Sequence, residues 1–111
     1  MNRQELRKVD LNIMVIFERV MQELNVTRAA KSLGISQPTV TAALNKLRRI
    51  LEDPLFILNG QGIEPTARAY QVYQEITPAL DELTRALSSQ LRPQSHPFKP
   101  INLTETSSLD R

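Results

Sequence analysis

The stretch from Asn25 to Arg49, "NVTRAAKSLGISQPTVTAALNKLRR", decides the fold. It carries five basic residues, Arg28, Lys31, Lys46, Arg48 and Arg49, and no acidic one. Apolar residues recur at helical spacing on both sides of a single glycine, Gly34. Thr27 is placed to cap a short helix running to Leu33, with Ala29, Ala30 and Leu33 on its inner side. Gly34 stands where a helix ends in the left-handed conformation, which costs glycine little. Ile35 can plug the corner. Ser36 then caps a new helix, and Pro38 falls in its first turn, where a missing N–H is tolerated. Val40, Ala43, Leu44, Leu47, Ile50 and Leu51 form the inner stripe of that helix. The chain stops and restarts because it turns a sharp corner between two helices, the pattern of a helix-turn-helix.

The outer face of the second helix is readable from the same stretch. Gln37, Pro38 and Thr39 stand at its amino end, followed by Thr41, Ala42 and Asn45. These short, mostly polar side chains suit a groove. Glutamine can pair with adenine through two hydrogen bonds, and threonine or proline can touch a thymine methyl. Lys46, Arg48 and Arg49 follow, and with Arg28 and Lys31 they can neutralise phosphate, alongside the hydroxyls of Thr27 and Ser36.

Working outward, Asp10 is a good N-cap for a preceding helix in which Met14, Phe17, Met21 and Leu24 recur at helical spacing. Ile13, Ile16 and Val20 make a second apolar stripe beside it. Two stripes exceed what a one-sided surface helix needs, so the second is expected to meet a partner helix. On the other side, "DPLFILNGQGIEPT" holds a short apolar run, Leu55 to Leu58, and then Asn59, Gly60, Gln61 and Gly62. Asn-Gly followed by another glycine marks a tight hairpin, which after a helix-turn-helix is a wing.

Thr66 is placed to cap a long helix reaching about Leu91, roughly 39 Å at the usual rise. Ala69, Tyr73, Ile76, Leu80, Leu83 and Leu87 make a coiled-coil type seam along it. Pro78 should bend this helix without ending it, because the apolar phase passes through. The seam, with the second stripe of the first helix, is expected to form a dimer. The chain therefore divides into 1–65, a winged helix-turn-helix; 66–92, a linker and dimerisation helix; and 93–111, a flexible linker. The expected fold class is mainly α.

The remaining composition narrows the function. The chain has 111 residues, no cysteine, one histidine and a net charge of +2. Disulfides and thiolate metal sites are excluded, and His96 has no second imidazole with which to share a metal. No cofactor is expected. Ile13 to Phe17, the longest apolar run, is too short for a bilayer or a signal-peptide core, so the expected location is the cytoplasm, with the nucleoid. Up to Arg68 there are ten basic residues against seven acidic, and beyond it four against five. The excess sits where the helix-turn-helix is, which points to a polyanion. No nucleophile–base pair or phosphate-binding glycine loop appears, so an enzyme is not expected.

Residues from about Asp10 to Leu91 resemble the DNA-binding domain of LysR-type transcriptional regulators, most specifically in "TRAAKSLGISQPTV" and "DPLFI". The resemblance implies a winged helix-turn-helix, a linker helix that pairs with a second subunit, and binding of double-stranded DNA at an interrupted palindrome. It places Gln37, Pro38, Thr39 and Thr41 at the start of the recognition helix. At Ala42 many members carry a longer polar or basic side chain. Where members often have arginine in the wing, this chain has Leu58 and Gln61. Full regulators add an effector domain, of which Ile101 to Leu103 would be the first strand. The expectation is thus a truncated regulator that does not bind the inducer, mobile from about Pro93 onward. The alternative is an interaction module that pairs with full-length relatives without reading bases.

Overall fold

The computed structural model describes residues 1–91. The expectations for 93–111, including His96 and the strand Ile101 to Leu103, lie outside the described residues. In chain order the elements are α1 (Arg3–Leu6), α2 (Leu11–Glu23), α3 (Val26–Leu33), α4 (Gln37–Leu51), β1 (Phe56–Asn59), β2 (Gly62–Pro65) and α5 (Ala67–Ser88). A mainly helical chain with one small antiparallel wing is the expected class. No described helix is long and apolar enough to cross a membrane.

Helix α2 is the centre of the domain, packed on α3, α4 and α5. Asp10 caps it as expected, accepting from Asn12 N–H at 2.8 Å. Of its two stripes, Ile13, Ile16, Phe17, Val20 and Met21 are buried, Met14 is half-buried against the same core, and Leu24, at the C-cap, is 42% exposed. The second stripe therefore does not face a partner. Three helices surround α2 within its own chain, and the second stripe is consumed there. The core closes with Val40, Leu44 and Leu47 from α4, Ala69 from α5, and Leu55 and Phe56 from the hairpin. It holds no polar or charged side chain among the described residues. Burial of each large aliphatic contributes about 1.5–3 kcal/mol. Phe17 and Phe56 meet at 5.9 Å between ring centroids, tilted by 50°, which ties the wing to α2.

The wing pairs Phe56 with Pro65 and Asn59 with Gly62, leaving Gly60 and Gln61 at the tip. The Asn59 side chain accepts from Gln61 N–H at 2.8 Å, and Gly62 takes φ +134°, a value that favours glycine. The first strand starts one residue later than expected. Leu55 is instead fully buried with φ 64°, turning the chain into the hairpin.

Helix α5 is capped by Thr66 and stays continuous across Pro78, ending at Ser88. Its seam divides. Ala69 is fully buried, and Tyr73 and Ile76 are half-buried against the same domain's core. Only Leu83, 39% exposed, and Leu87, 62% exposed, stand well clear of it, beyond the half-buried Leu80. The amino-terminal half of the seam is therefore an intramolecular contact, reinforced where Thr77 Oγ1 donates to Glu18 Oε2 at 3.1 Å.

Candidate nucleic-acid interface

The corner between α3 and α4 forms as the sequence implies, with one change of cap. Asn25, not Thr27, starts α3: its side-chain oxygen accepts from Arg28 N–H at 2.8 Å. Asparagine in extended backbone reaches the third helical N–H, which leaves Thr27 inside the first turn. Gly34 closes the helix at φ 70°, and Ile35 N–H reaches back to Ala30 O at 3.0 Å. Ile35 is half-buried against the core, as a corner plug should be. Ser36 Oγ accepts from Thr39 N–H at 3.2 Å and lies 2.7 Å from Thr39 Oγ1, so both hydroxyls serve the cap.

With Val40, Ala43, Leu44 and Leu47 turned inward, α4 presents the opposite face to solvent. Gln37, Pro38, Thr41, Ala42 and Asn45 line one open, shallow depression there. Thr39 lies around the helix from them. It lines a smaller hollow with Ala42 and Lys46, against Asp10 and Asn12 at the start of α2. Thr27 Oγ1 donates to Gln37 Oε1 at 3.4 Å across the corner.

The basic side chains separate into two groups. Arg28 is held by Glu23, with Nη2 to the Glu23 carbonyl at 3.3 Å and Nε to its carboxylate at 3.7 Å. Arg48 is half-buried; its Nε donates to Pro54 O at 2.7 Å and its Nη1 to Asn45 Oδ1 at 2.9 Å. Lys31, Lys46 and Arg49 are exposed, and among the described residues none of them is in an ion pair. The wing carries no lysine or arginine. Leu58 is 82% exposed there, and the one charge, Glu64, stands opposite Ile57.

A second cluster, not anticipated from sequence, fixes the wing to both flanking helices. Asp53 Oδ2 accepts from Leu55 N–H at 2.9 Å and from Thr66 Oγ1 at 2.7 Å. The same Thr66 oxygen accepts from Ala69 N–H at 3.1 Å, so one carboxylate joins the end of α4 to the cap of α5. The Thr66 hydroxyl and then the Leu55 N–H hold the Asp53 carboxyl below its ordinary range, with the Arg68 guanidinium assisting. Helical periodicity signals neither this bridge nor the Arg48 contact with Pro54, because each joins residues on different elements; only the Arg48–Asn45 bond lies at helical spacing within α4.

The match to known proteins agrees with this geometry. Residues 11–70 fit the family model described as bacterial regulatory helix-turn-helix protein, lysR family. The chain belongs to the LysR family. It is 48% identical to the transcriptional regulator LeuO of Escherichia coli over 72% of this chain and 26% of that protein. It is 39% identical to the transcriptional activator NahR of Pseudomonas putida over 95% of this chain and 33% of that protein. The chain thus spans about a quarter to a third of the length of these LysR-family relatives, which are named as regulators and not as enzymes. A probable transcriptional regulator from Pseudomonas aeruginosa superposes with a TM-score of 0.70 and 35% identity, over 86% of this chain and 30% of that one. The CbnR DBD–DNA complex superposes with a TM-score of 0.66 and 26% identity, over 72% of this chain and 92% of that one.

Proposed function

We propose that this chain binds double-stranded DNA in a sequence-specific way, as a homodimer on an interrupted palindrome, in the service of transcriptional regulation. Residues 1–65 supply the DNA-binding unit, 66–92 the linker helix that pairs with a second copy, and 93–111 a connecting segment. The observation that carries the reading is the outward face of α4, where Gln37, Pro38, Thr41, Ala42 and Asn45 share one open surface. A helix of this kind fits the major groove, and its short polar side chains reach base edges. The family membership and the likeness to a LysR-family domain solved with DNA support it.

Roles follow from which groups are free. Gln37, Thr41 and Asn45 read bases, with Pro38 and Ala42 offering apolar contact. Lys31, Lys46 and Arg49 take phosphate, since Arg28 and Arg48 already hold partners within the chain. The wing, lacking a cation, contributes through the amides near Asn59 and Gln61. The reading as an interaction module has no observation of its own. Binding of a randomised duplex pool, followed by titration of the enriched site at several salt concentrations, tests the proposal. Gln37→Ala should cost about 1–3 kcal/mol on the enriched site and relax one base pair. Lys46→Ala should weaken cognate and random duplex alike and lower the salt slope by about one unit. Identical behaviour of the two variants on cognate and random DNA would show that α4 is not oriented this way.

A further inference from the structure

We propose that Arg48 sets the base preference of the recognition face by holding Asn45 with its amide nitrogen outward. The inference rests on the DNA-binding reading above. Arg48 is fixed first: its Nε donates to Pro54 O at 2.7 Å, in the loop that leads to the wing. Its Nη1 then meets Asn45 Oδ1 at 2.9 Å. An arginine offers donors only, so the asparagine must turn its oxygen toward it; the flipped amide would set donor against donor. Asn45 is exposed in the depression on α4, and nothing among the described residues accepts from its Nδ2.

The consequence is chemical. A free asparagine pairs with adenine by accepting from N6 and donating to N7, which requires both ends of the amide at the base edge. With Oδ1 turned to Arg48 and its Nδ2 unpartnered among the described residues, Asn45 leads with its donor end, and its oxygen is aimed away from the paired geometry adenine needs. In the major groove, guanine O6 and N7 and thymine O4 accept, cytosine N4 only donates, and adenine sets an amino group beside its N7. The position read by Asn45 therefore favours guanine or thymine and rejects cytosine. Gln37 does not carry the same constraint. Its partner, the Thr27 hydroxyl at 3.4 Å, can both donate and accept, so that amide is free to flip.

The test is selection from a randomised duplex pool with the intact chain and two variants, reading base identity at each position. The native chain should show guanine or thymine at one pair of each half-site, by a factor on the order of ten over cytosine. Asn45→Asp, which keeps the Arg48 contact but offers only acceptors, should switch that pair to cytosine or adenine and leave the other positions unchanged. Arg48→Leu should admit adenine at the same pair. Should Arg48→Leu fail to fold for want of a partner for Pro54 O, the native chain decides the role of Arg48: adenine enriched at the pair that Asn45→Asp alters is what a freely turning amide would give, and overturns it. An enriched motif whose every position is unchanged in Asn45→Asp overturns the assignment and leaves the DNA-binding reading standing. A native chain that enriches no motif overturns both.

Discussion

Helices α4 and α5 carry the same kind of apolar repeat and meet different ends. The stripe of α4 is spent within the domain: Val40, Ala43, Leu44 and Leu47 are buried, and only the last turn, at Ile50, reaches solvent. The stripe of α5 is spent only as far as the domain extends. Ala69 is buried, Tyr73 and Ile76 lean on the core, and Leu83 and Leu87 stand beyond it. An apolar periodicity states that a helix has a face to cover. What covers it depends on how far the rest of the chain reaches, which is why α4 folds the domain and α5 leaves it.

The largest expected effect tests that division directly. Leu47, 2% exposed, should cost about 2–5 kcal/mol on replacement by alanine, enough to broaden or abolish cooperative unfolding in so small a domain. Leu87→Ala should stay within about 0.5 kcal/mol for the isolated domain, since its side chain touches little. Thermal melts followed by circular dichroism, at concentrations where sedimentation shows a monomer, compare the two, and equal losses there would mean that α5 is covered within its own chain after all.

Next comes the outer half of the seam. Leu83→Asp combined with Leu87→Asp should leave the helical spectrum intact and weaken self-association by roughly tenfold or more, equivalent to about 1.4 kcal/mol. Sedimentation velocity showing an undiminished dimer would remove α5 from the proposed interface.

The cap where α5 begins is the third place to press. Thr66→Val removes both the acceptor for Ala69 N–H and the donor to Asp53, and should cost about 1–2 kcal/mol by denaturant melts. The Asp53 side of this bridge also predicts a pH dependence. Its carboxyl titrates lower in the folded chain than its ordinary 3.8, so the stabilisation is present above that value. It is lost as the pH falls through the lower, folded value, because protonation removes the charge that strengthens both hydrogen bonds. Asp53→Asn should flatten this part of the acid profile, and an unchanged profile would show that Asp53 contributes nothing measurable.

The smallest effect concerns how α4 ends. Glu52 sits at φ 52°, in the left-handed region where a side chain is strained. Glu52→Gly relieves that strain but frees the unfolded chain, so the net gain should be under about 1 kcal/mol, seen as a slightly raised melting temperature. A lowered one would mean that the Glu52 side chain has a contact worth more than the strain.

The helix-turn-helix was legible because its signals are local. Gly34, Ser36 and Pro38 act on their own backbone, and each takes the predicted place. The hairpin at Asn59 to Gly62 was legible for the same reason. Local chemistry can still offer two candidates: Asn25 and Thr27 are both good cap residues, and Asn25 takes the place by accepting from Arg28 N–H. The exposed face of α4 follows once its inner stripe is known, so the residues that line its outer depression were visible as sequence.

Sequence by itself determined where the chain turns, which helices are amphipathic and which face of α4 is polar, because caps, glycines and periodicity act within a few residues. Only the tertiary structure decided what covers each apolar stripe and which polar groups remain free. Ile13, Ile16 and Val20 look like an interface until three helices close over them. That the Arg48 side chain meets Pro54, six residues on, where the chain turns back to accept from it, is not legible along the helix. Packing and hydrogen bonding across elements depend on where the backbone returns, and the return path is set by the whole core at once.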